Sequence, residues 1–178
     1  MKRVIGYGVE MHNNLALIDN QNLYLSAVRA KSPWRIDMKR FRVYLEEKYH
    51  ITEARLYMGA HMPEQQRMYD NFRSFGYELQ FRQHSIQQAG TKKGNVDSDI
   101  TFALTKFAMD DEGFDKVYLV SGDGDYKLAV DFLIQQSKFG KILLPSHENA
   151  SSLYKQLELK YYAYLDDMSM RLKIGLKK

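Results

Sequence analysis

The sequence predicts a three-layer α/β/α sandwich built on a mostly parallel central sheet, and two observations support this fold class. Short, continuous apolar runs recur along the chain, which is typical of strands that are buried on both faces. Between these runs lie longer segments in which apolar residues recur at helical spacing. Strands that alternate with helices imply right-handed crossover connections, and therefore helices on both faces of the sheet.

Five strands are expected, and each is followed by polar or turn-forming residues. In chain order they cover residues 15–18, 55–59, 77–82, 116–121 and 141–144. The intervening segments predict four helices, whose apolar faces are formed by Met38, Phe41, Leu45 and Tyr49; by Met68, Phe72 and Phe75; by Ile100, Leu104, Phe107 and Ala108; and by Leu128, Val130, Phe132 and Leu133. A late helix is expected to start at Ser151-Ser152 and to carry Leu153 and Leu157. Three glycines mark expected ends of elements: Gly76, Gly113 and Gly140.

The length and composition limit the number of domains, the kinds of site and the cellular compartment that are expected. A length of 178 residues favours one domain, expected over residues 14–178, after an N-terminal arm (1–13) of unknown role. The absence of cysteine excludes a disulfide scaffold, a thiolate zinc site and a cysteine nucleophile, and it fits a reducing compartment. No apolar run is long enough to cross a bilayer, so a cytoplasmic protein without a membrane partner is expected.

Acidic residues follow two of the predicted strands and open one of the predicted helices. Asp19 follows the first strand, Asp123 and Asp125 follow the fourth, and Asp97 and Asp99 begin the third helix. Ligands of an open parallel sheet bind beyond the carboxyl ends of its strands. If the first and fourth strands are neighbours, these carboxylates converge, which is unfavourable unless a cation or a proton neutralises them. Oxygen ligands, without cysteine or a paired-histidine motif, favour Mg²⁺ or Mn²⁺.

Each acidic residue also has a purely structural interpretation. Asp19 and Asp97 are common helix N-caps when considered alone, and the segment from Ser121 to Asp125 is a common polar turn. An EF-hand is excluded, because Ile134 occupies the twelfth position counted from Asp123, where that loop requires glutamate. The excess of 26 basic over 22 acidic residues is mild, but a basic surface around an acidic cleft suits a polyanionic substrate held over cations.

Three segments, in order, resemble the signature blocks of NYN domains, which belong to the PIN-like superfamily of metal-dependent ribonucleases. They are LIDNQNL at 17–23, KGNVDSD at 93–99 and VSGDGDY at 120–126, and the resemblance spans roughly residues 14–165. The resemblance implies a Rossmann-like fold in which Mg²⁺ or Mn²⁺ is held by Asp19, Asp97, Asp123 and Asp125. It also implies supporting positions at Asn22 and Ser121, and it places Tyr126 where phenylalanine is more usual.

The expected activity is the metal-dependent, endonuclease-type hydrolysis of single-stranded RNA, and the four aspartates are the expected catalytic residues. Asp99 would point roughly 200° away from Asp97 on a helix, so it is expected to orient water or to cap the helix rather than to share the ion. Lys92 and Lys93, on the loop before Asp97, are expected to reach the RNA backbone, and Tyr126 is a further candidate RNA contact.

Other functions remain open at this stage. A catalytically weak RNA-binding or regulatory NYN protein would retain the fold and the basic surface. A phosphatase that uses Asp19 as its nucleophile usually carries a second aspartate two residues later, where this chain has Gln21. The oligomeric state also stays open, a homo-oligomer included.

Overall fold

The computed structural model describes residues 12–82 and 96–177 of the chain. Its centre is a six-stranded sheet in the order β3-β2-β1-β4-β5-β6, and every neighbouring pair is parallel. The strands are β1 Asn14–Asp19, β2 Ile51–Met58, β3 Tyr77–Phe81, β4 Lys116–Val120, β5 Phe139–Leu144 and β6 Tyr162–Tyr164. The predicted α/β fold with a parallel central sheet is therefore confirmed.

Helices cover both faces of this sheet. They are α1 Asn20–Val28, α2 Met38–Tyr49, α3 Gln66–Ser74, α4 Asp97–Met109, α5 Lys127–Gln135 and α6 Met168–Ile174. Successive residues of a strand point to opposite faces, so β1 contributes to two cores: Ala16 and Ile18 pack with α2, while Leu15 and Leu17 pack with α4 and α5. Within residues 12–82 and 96–177, no helix combines the length and the apolar character that a bilayer span requires.

The strand order determines where the candidate site lies. The chain proceeds outward from β1 to β2 and β3, and then returns to β4 on the other side of β1. The ladder between β1 and β4 ends where Ile18 pairs with Val120, so both strands finish at the same edge of the sheet. This reversal opens a crevice beyond the carboxyl ends of β1 and β4, which is where ligands of such sheets bind. The first and fourth strands are thus neighbours, as the convergence of the carboxylates requires.

Three helices and strands were not predicted, and all three lack a strong periodic signal. Helix α6 has only seven residues, and one of them is buried. β6 has only three residues, Tyr162–Tyr164, which is too short for a pattern to emerge. Helix α1 buries Leu23, Ser26 and Ala27, so its inner face is only weakly apolar. Its polar start, directly after Asp19, resembles a turn more than a helix.

Four details of the predicted elements were wrong. Strand β2 begins at Ile51, whereas its predicted start was residue 55. The late helix is a single 3-10 segment, Ser152–Gln156, although Ser151 caps its start as expected. The inner face of α5 is formed by Val130 and Leu133, whereas Leu128 is 84% exposed and Phe132 is 44% exposed. Apolar residues on both sides of α5 made its inner face ambiguous. Gly140 ends no element, because it lies inside β5.

Candidate metal centre and its cavity

Asp19 ends β1 and caps α1, so one residue connects the sheet to the site. Its Oδ1 accepts a hydrogen bond from the backbone N–H of Asn22 at 2.9 Å, and the residue is only 3% exposed. Burial raises the pKa of Asp19, and the charges of Asp97 and Asp123 raise it further, while hydrogen bonds from Asn22 and Tyr126 oppose the rise. The capping role considered for Asp19 is therefore real, and it coexists with a place among the other carboxylates.

Tyr126 connects Asp19 to Asp97 from inside the protein. Its hydroxyl oxygen lies 2.8 Å from Asp97 Oδ1 and 3.1 Å from Asp19 Oδ2, so the two carboxylates share a single donor proton. Burial raises the pKa of Tyr126, and the two neighbouring carboxylates raise it further, so the hydroxyl retains its proton. The side chain is 0% exposed, which contradicts the prediction that Tyr126 contacts RNA. The ring belongs to the core, and its hydroxyl organises the acidic residues instead.

Asp97, Asp123 and Asp125 form a compact group of carboxylates. One oxygen from each lies within 4.8 Å of the others; Asp97 and Asp123 are half-buried and Asp125 is exposed. Asp97 is the first residue of α4 and Val96 is its N-cap, so Asp97 is not the cap that its position also suggested. Asp123 caps the 3-10 turn Gly124–Tyr126, where its Oδ1 accepts from the Asp125 N–H at 3.0 Å. Three close carboxylate oxygens match the donor set of a hard divalent cation.

Asn22 and Ser121, predicted as supporting residues, both hold the loop that carries Asp123. Asn22 Oδ1 accepts from the Gly122 N–H at 2.8 Å, which ties the first turn of α1 to the end of β4. Ser121 is buried, and its Oγ accepts from the Asp123 N–H at 3.1 Å. From the other side, the Tyr154 hydroxyl donates to the Asp123 carbonyl oxygen. The loop is thus fixed by side chains from three separate segments of the chain.

A cavity of about 330 Å³ opens beside these carboxylates. Asp19, Asp97 and Asp123 line one part of it. The other lining residues belong mainly to α1: Gln21, Asn22, Leu25, Ser26, Arg29, Val96 and Asn149. Of these, only Asn22 was identified from the sequence, and only as a supporting residue. The polar residues after Asp19 recur at helical spacing. If α1 had been recognised as a helix, this spacing would have indicated that they share one side of it.

The remaining candidate residues lie away from the acidic group or outside the described residues. Asp99 is half-buried on α4 and acts on Tyr57 of β2: burial raises the pKa of Tyr57 to about 12, and the charge of Asp99 contributes to the rise. Asp99 is not a member of the three-carboxylate group, and its expected role in orienting water or capping the helix stays a prediction. Lys92 and Lys93 fall outside the described residues.

A parallel α/β/α sandwich with acidic residues gathered beyond the ends of its two central strands is the arrangement of PIN-like nuclease domains. The family model for the NYN domain matches residues 14–164, and the chain therefore belongs to the NYN family, a PIN-like nuclease family.

Two known proteins are similar to this chain. Low amplitude and bright protein LabA from Synechococcus elongatus is 27% identical over 125 residues, which are 65% of this chain and 64% of LabA. The match thus spans less than two thirds of the length of LabA. The crystal structure of a protein of unknown function from Vibrio parahaemolyticus aligns with a TM-score of 0.69 at 24% identity, covering 96% of this chain and 99% of that one. This second likeness supports the fold alone.

Proposed function

We propose that this protein is a metal-dependent ribonuclease that hydrolyses internal phosphodiester bonds of single-stranded RNA. The observation that carries the proposal is the group of three carboxylate oxygens, from Asp97, Asp123 and Asp125, within 4.8 Å of one another. The group borders a cavity at the edge of the sheet where ligands of this fold class bind. Membership of the NYN family supports both the nuclease chemistry and RNA as the substrate.

The residues at the site fit a divalent cation. Asp97, Asp123 and Asp125 supply only oxygen donors, which suits Mg²⁺ or Mn²⁺, and Asp19 adds a buried negative charge behind them. When bound, such a cation would relieve charge on the phosphoryl oxygens and lower the pKa of a water molecule for attack. Without it, the clustered carboxylates would repel both one another and the substrate.

The protein's own residues would position the ligands and admit the strand. Asp125 is exposed, so this carboxylate is reachable from solvent, whereas Asp123 is held by its capping bond to the Asp125 N–H. Tyr126 keeps Asp19 and Asp97 in place through its shared hydroxyl. A cavity of about 330 Å³ lies in the size range of small-molecule sites, which is enough to receive part of a nucleotide.

A second candidate function is RNA binding or regulation without cleavage. One observation favours it: Asp19 and Asp123 each cap a helical turn, so both have a structural use that needs no metal. The two functions differ in what a neutral substitution at Asp123 would do.

The variant Asp123→Asn tests the proposal, because asparagine retains an oxygen that can accept the Asp125 N–H bond. In chelator, removing one of the clustered charges should raise the melting temperature by the few degrees that ~1 kcal/mol gives in a domain of this size. Mn²⁺ should stabilise the parent by mass action and the variant much less. The parent should cut a circular single-stranded RNA, which only an internal cleavage can open, and the variant should not.

Asp110→Asn is the matched control, since Asp110 is exposed at the far end of α4. This variant should respond to Mn²⁺ and cut RNA as the parent does. If Asp123→Asn melts lower than the parent in chelator, and both proteins ignore Mn²⁺, the carboxylates are structural and the nuclease proposal is wrong.

A further inference from the structure

One wall of the cavity is a polar stripe along α1. Gln21 and Asn22, then Leu25 and Ser26, and finally Arg29 line it on successive turns of the helix. Residues three or four positions apart lie on the same side of a helix, so the stripe is continuous from the carboxylates to the last turn. Ser26 is itself buried, so it lies at the border between the stripe and the inner face of α1. The side around Leu23 and Ala27 is buried against the sheet.

Arg29 stands at the end of this stripe as the only basic residue among the described residues that line the cavity. It is exposed, and its guanidinium has no carboxylate within ion-pair distance in the described parts of the chain. Nearby Lys31, by contrast, pairs with Glu148 at 3.2 Å. The cavity thus has carboxylates in one part and an uncompensated cation in another. With a metal ion held by the carboxylates, as proposed above, both parts would attract a ligand with more than one negative charge.

The separation along α1 indicates which part of a ligand Arg29 would meet. An α-helix rises about 1.5 Å per residue, so the backbone of Arg29 lies about 15 Å along the axis from Asp19. That distance exceeds one nucleotide of backbone, which favours different positions of one strand for a phosphate at the carboxylates and a phosphate at Arg29. A guanidinium binds phosphate through two parallel N–H···O bonds, which a lysine cannot reproduce.

Asn149 borders the same cavity from the loop after β5. Its Nδ2 lies 3.4 Å from the Ser26 carbonyl oxygen, so it connects this loop to the middle of the α1 stripe. The stripe is therefore held from outside the helix as well as by the packing of α1 on the sheet.

We propose that the α1 stripe is a phosphate-binding subsite for a polynucleotide strand, in which Arg29 contacts a phosphate other than the one placed at the carboxylates. The inference rests on the proposed function for the kind of strand and extends it by naming the path that the strand takes away from the acidic group. It predicts a contribution to binding that is separable from cleavage.

The test measures binding of a fluorescein-labelled, 12-nucleotide oligouridine to the full chain in chelator over a range of salt concentrations. Each phosphate contact to a single strand contributes about 0.7 to the slope of log affinity against log salt. Arg29→Gln should therefore bind more weakly and show a slope shallower by about 0.7. Arg67→Gln is the matched control, because Arg67 is also exposed and also lines a cavity, but on α3 and away from the carboxylates.

The inference is overturned if the parent does not bind the oligonucleotide, if Arg29→Gln keeps the parental slope, or if Arg67→Gln loses as much as Arg29→Gln. Cleavage of RNA in Mn²⁺, measured separately, distinguishes the two proposals. Cleavage by a parent whose salt slope does not depend on Arg29 would reject the subsite and keep the nuclease. A slope that depends on Arg29, in a protein that does not cleave, would support the subsite and reject the nuclease.

Discussion

Tyr126 connects two carboxylates of the acidic region through one hydroxyl group. Its hydroxyl is shared by Asp19 and Asp97, which are contributed by a strand end and by a helix start far apart in the chain. A phenylalanine at this position would fill the same core space without that donor. The tyrosine therefore gives this chain a hydrogen bond that orients Asp97, one of the three proposed metal ligands, and the buried Asp19 behind it. Hydrogen bonds that support metal ligands matter almost as much as the ligands themselves.

The variant Tyr126→Phe should retain the fold but weaken the binding of Mn²⁺ by 10- to 100-fold, the usual cost of losing a support of a metal ligand. Asp19 is nearly fully buried and would lose one of its two donors, so the melting temperature in chelator should also fall. Titration of Mn²⁺ in thermal scans measures both effects. Tyr57→Phe, on the neighbouring strand, is the control, and an unchanged Mn²⁺ affinity of Tyr126→Phe would show that the hydroxyl has no such role.

Among the elements, β4 and β5 approach each other closely at Gly140 and Tyr118. The ladder between these strands shifts register between Val117 and Leu119, at Tyr118. Beside it lies Gly140, where an added Cβ would stand 2.3 Å from Cε2 and Cζ of the Tyr118 ring. The glycine is needed for the close approach of this ring, and no turn or helix end requires it.

Gly140→Ala should lower the free energy of unfolding by 1–3 kcal/mol, roughly the cost of overpacking a core, because the Tyr118 ring must move. Urea unfolding measures this loss. Gly59→Ala is the control and should change little, since an added Cβ there meets nothing within 4 Å. In the double variant with Tyr118→Ala, the two losses should be less than additive; full additivity would contradict the proposed clash.

The contrast between predicted and unpredicted elements follows from the strength of their local signals. β1 is buried along its whole length, so its continuous apolar run identified it and placed Asp19 at its end. The acidic group could be anticipated because strand ends of a parallel sheet meet at one edge. The cavity wall on α1 could not be anticipated, because the inner face of this helix includes Ser26 and Ala27 and so has no clear apolar pattern. The shared hydroxyl of Tyr126 could not be anticipated either, because it depends on packing between distant segments of the chain.

At the scale of the whole molecule, buried tyrosines in both cores make the stability of the fold depend on pH. Burial raises the pKa of tyrosines throughout the described chain: Tyr44, Tyr49, Tyr57, Tyr77, Tyr118, Tyr126, Tyr154 and Tyr164. An unfolded tyrosine ionises near pH 10, so the unfolded chain loses these protons first as the pH rises. The contribution of these tyrosines to the free energy of unfolding is therefore fully present below pH 10 and declines as the pH rises above that value.

Tyr57 offers a measurable case, because burial raises its pKa to about 12. Between pH 10 and 12 its contribution to the free energy of unfolding should fall by about 1.4 kcal/mol per pH unit. Tyr57→Phe should therefore flatten the decline of stability with pH by about that amount in urea unfolding. Tyr24→Phe, at an exposed position, is the control. An equal decline in parent and Tyr57→Phe would mean that this hydroxyl ionises alike in both states.

The parallel strand order also has a consequence for how the protein folds during its synthesis. The hydrogen bond between Tyr126 and Asp19 joins residues 107 positions apart, and the bond between Gly122 and Asn22 joins residues 100 positions apart. Contacts of such long range are slow to form, since a large loop must close before any of them is gained. A chain still emerging from the ribosome with only β1 to β3 has no acidic centre at all. The acidic centre is therefore assembled late, in the step that docks β4 beside β1.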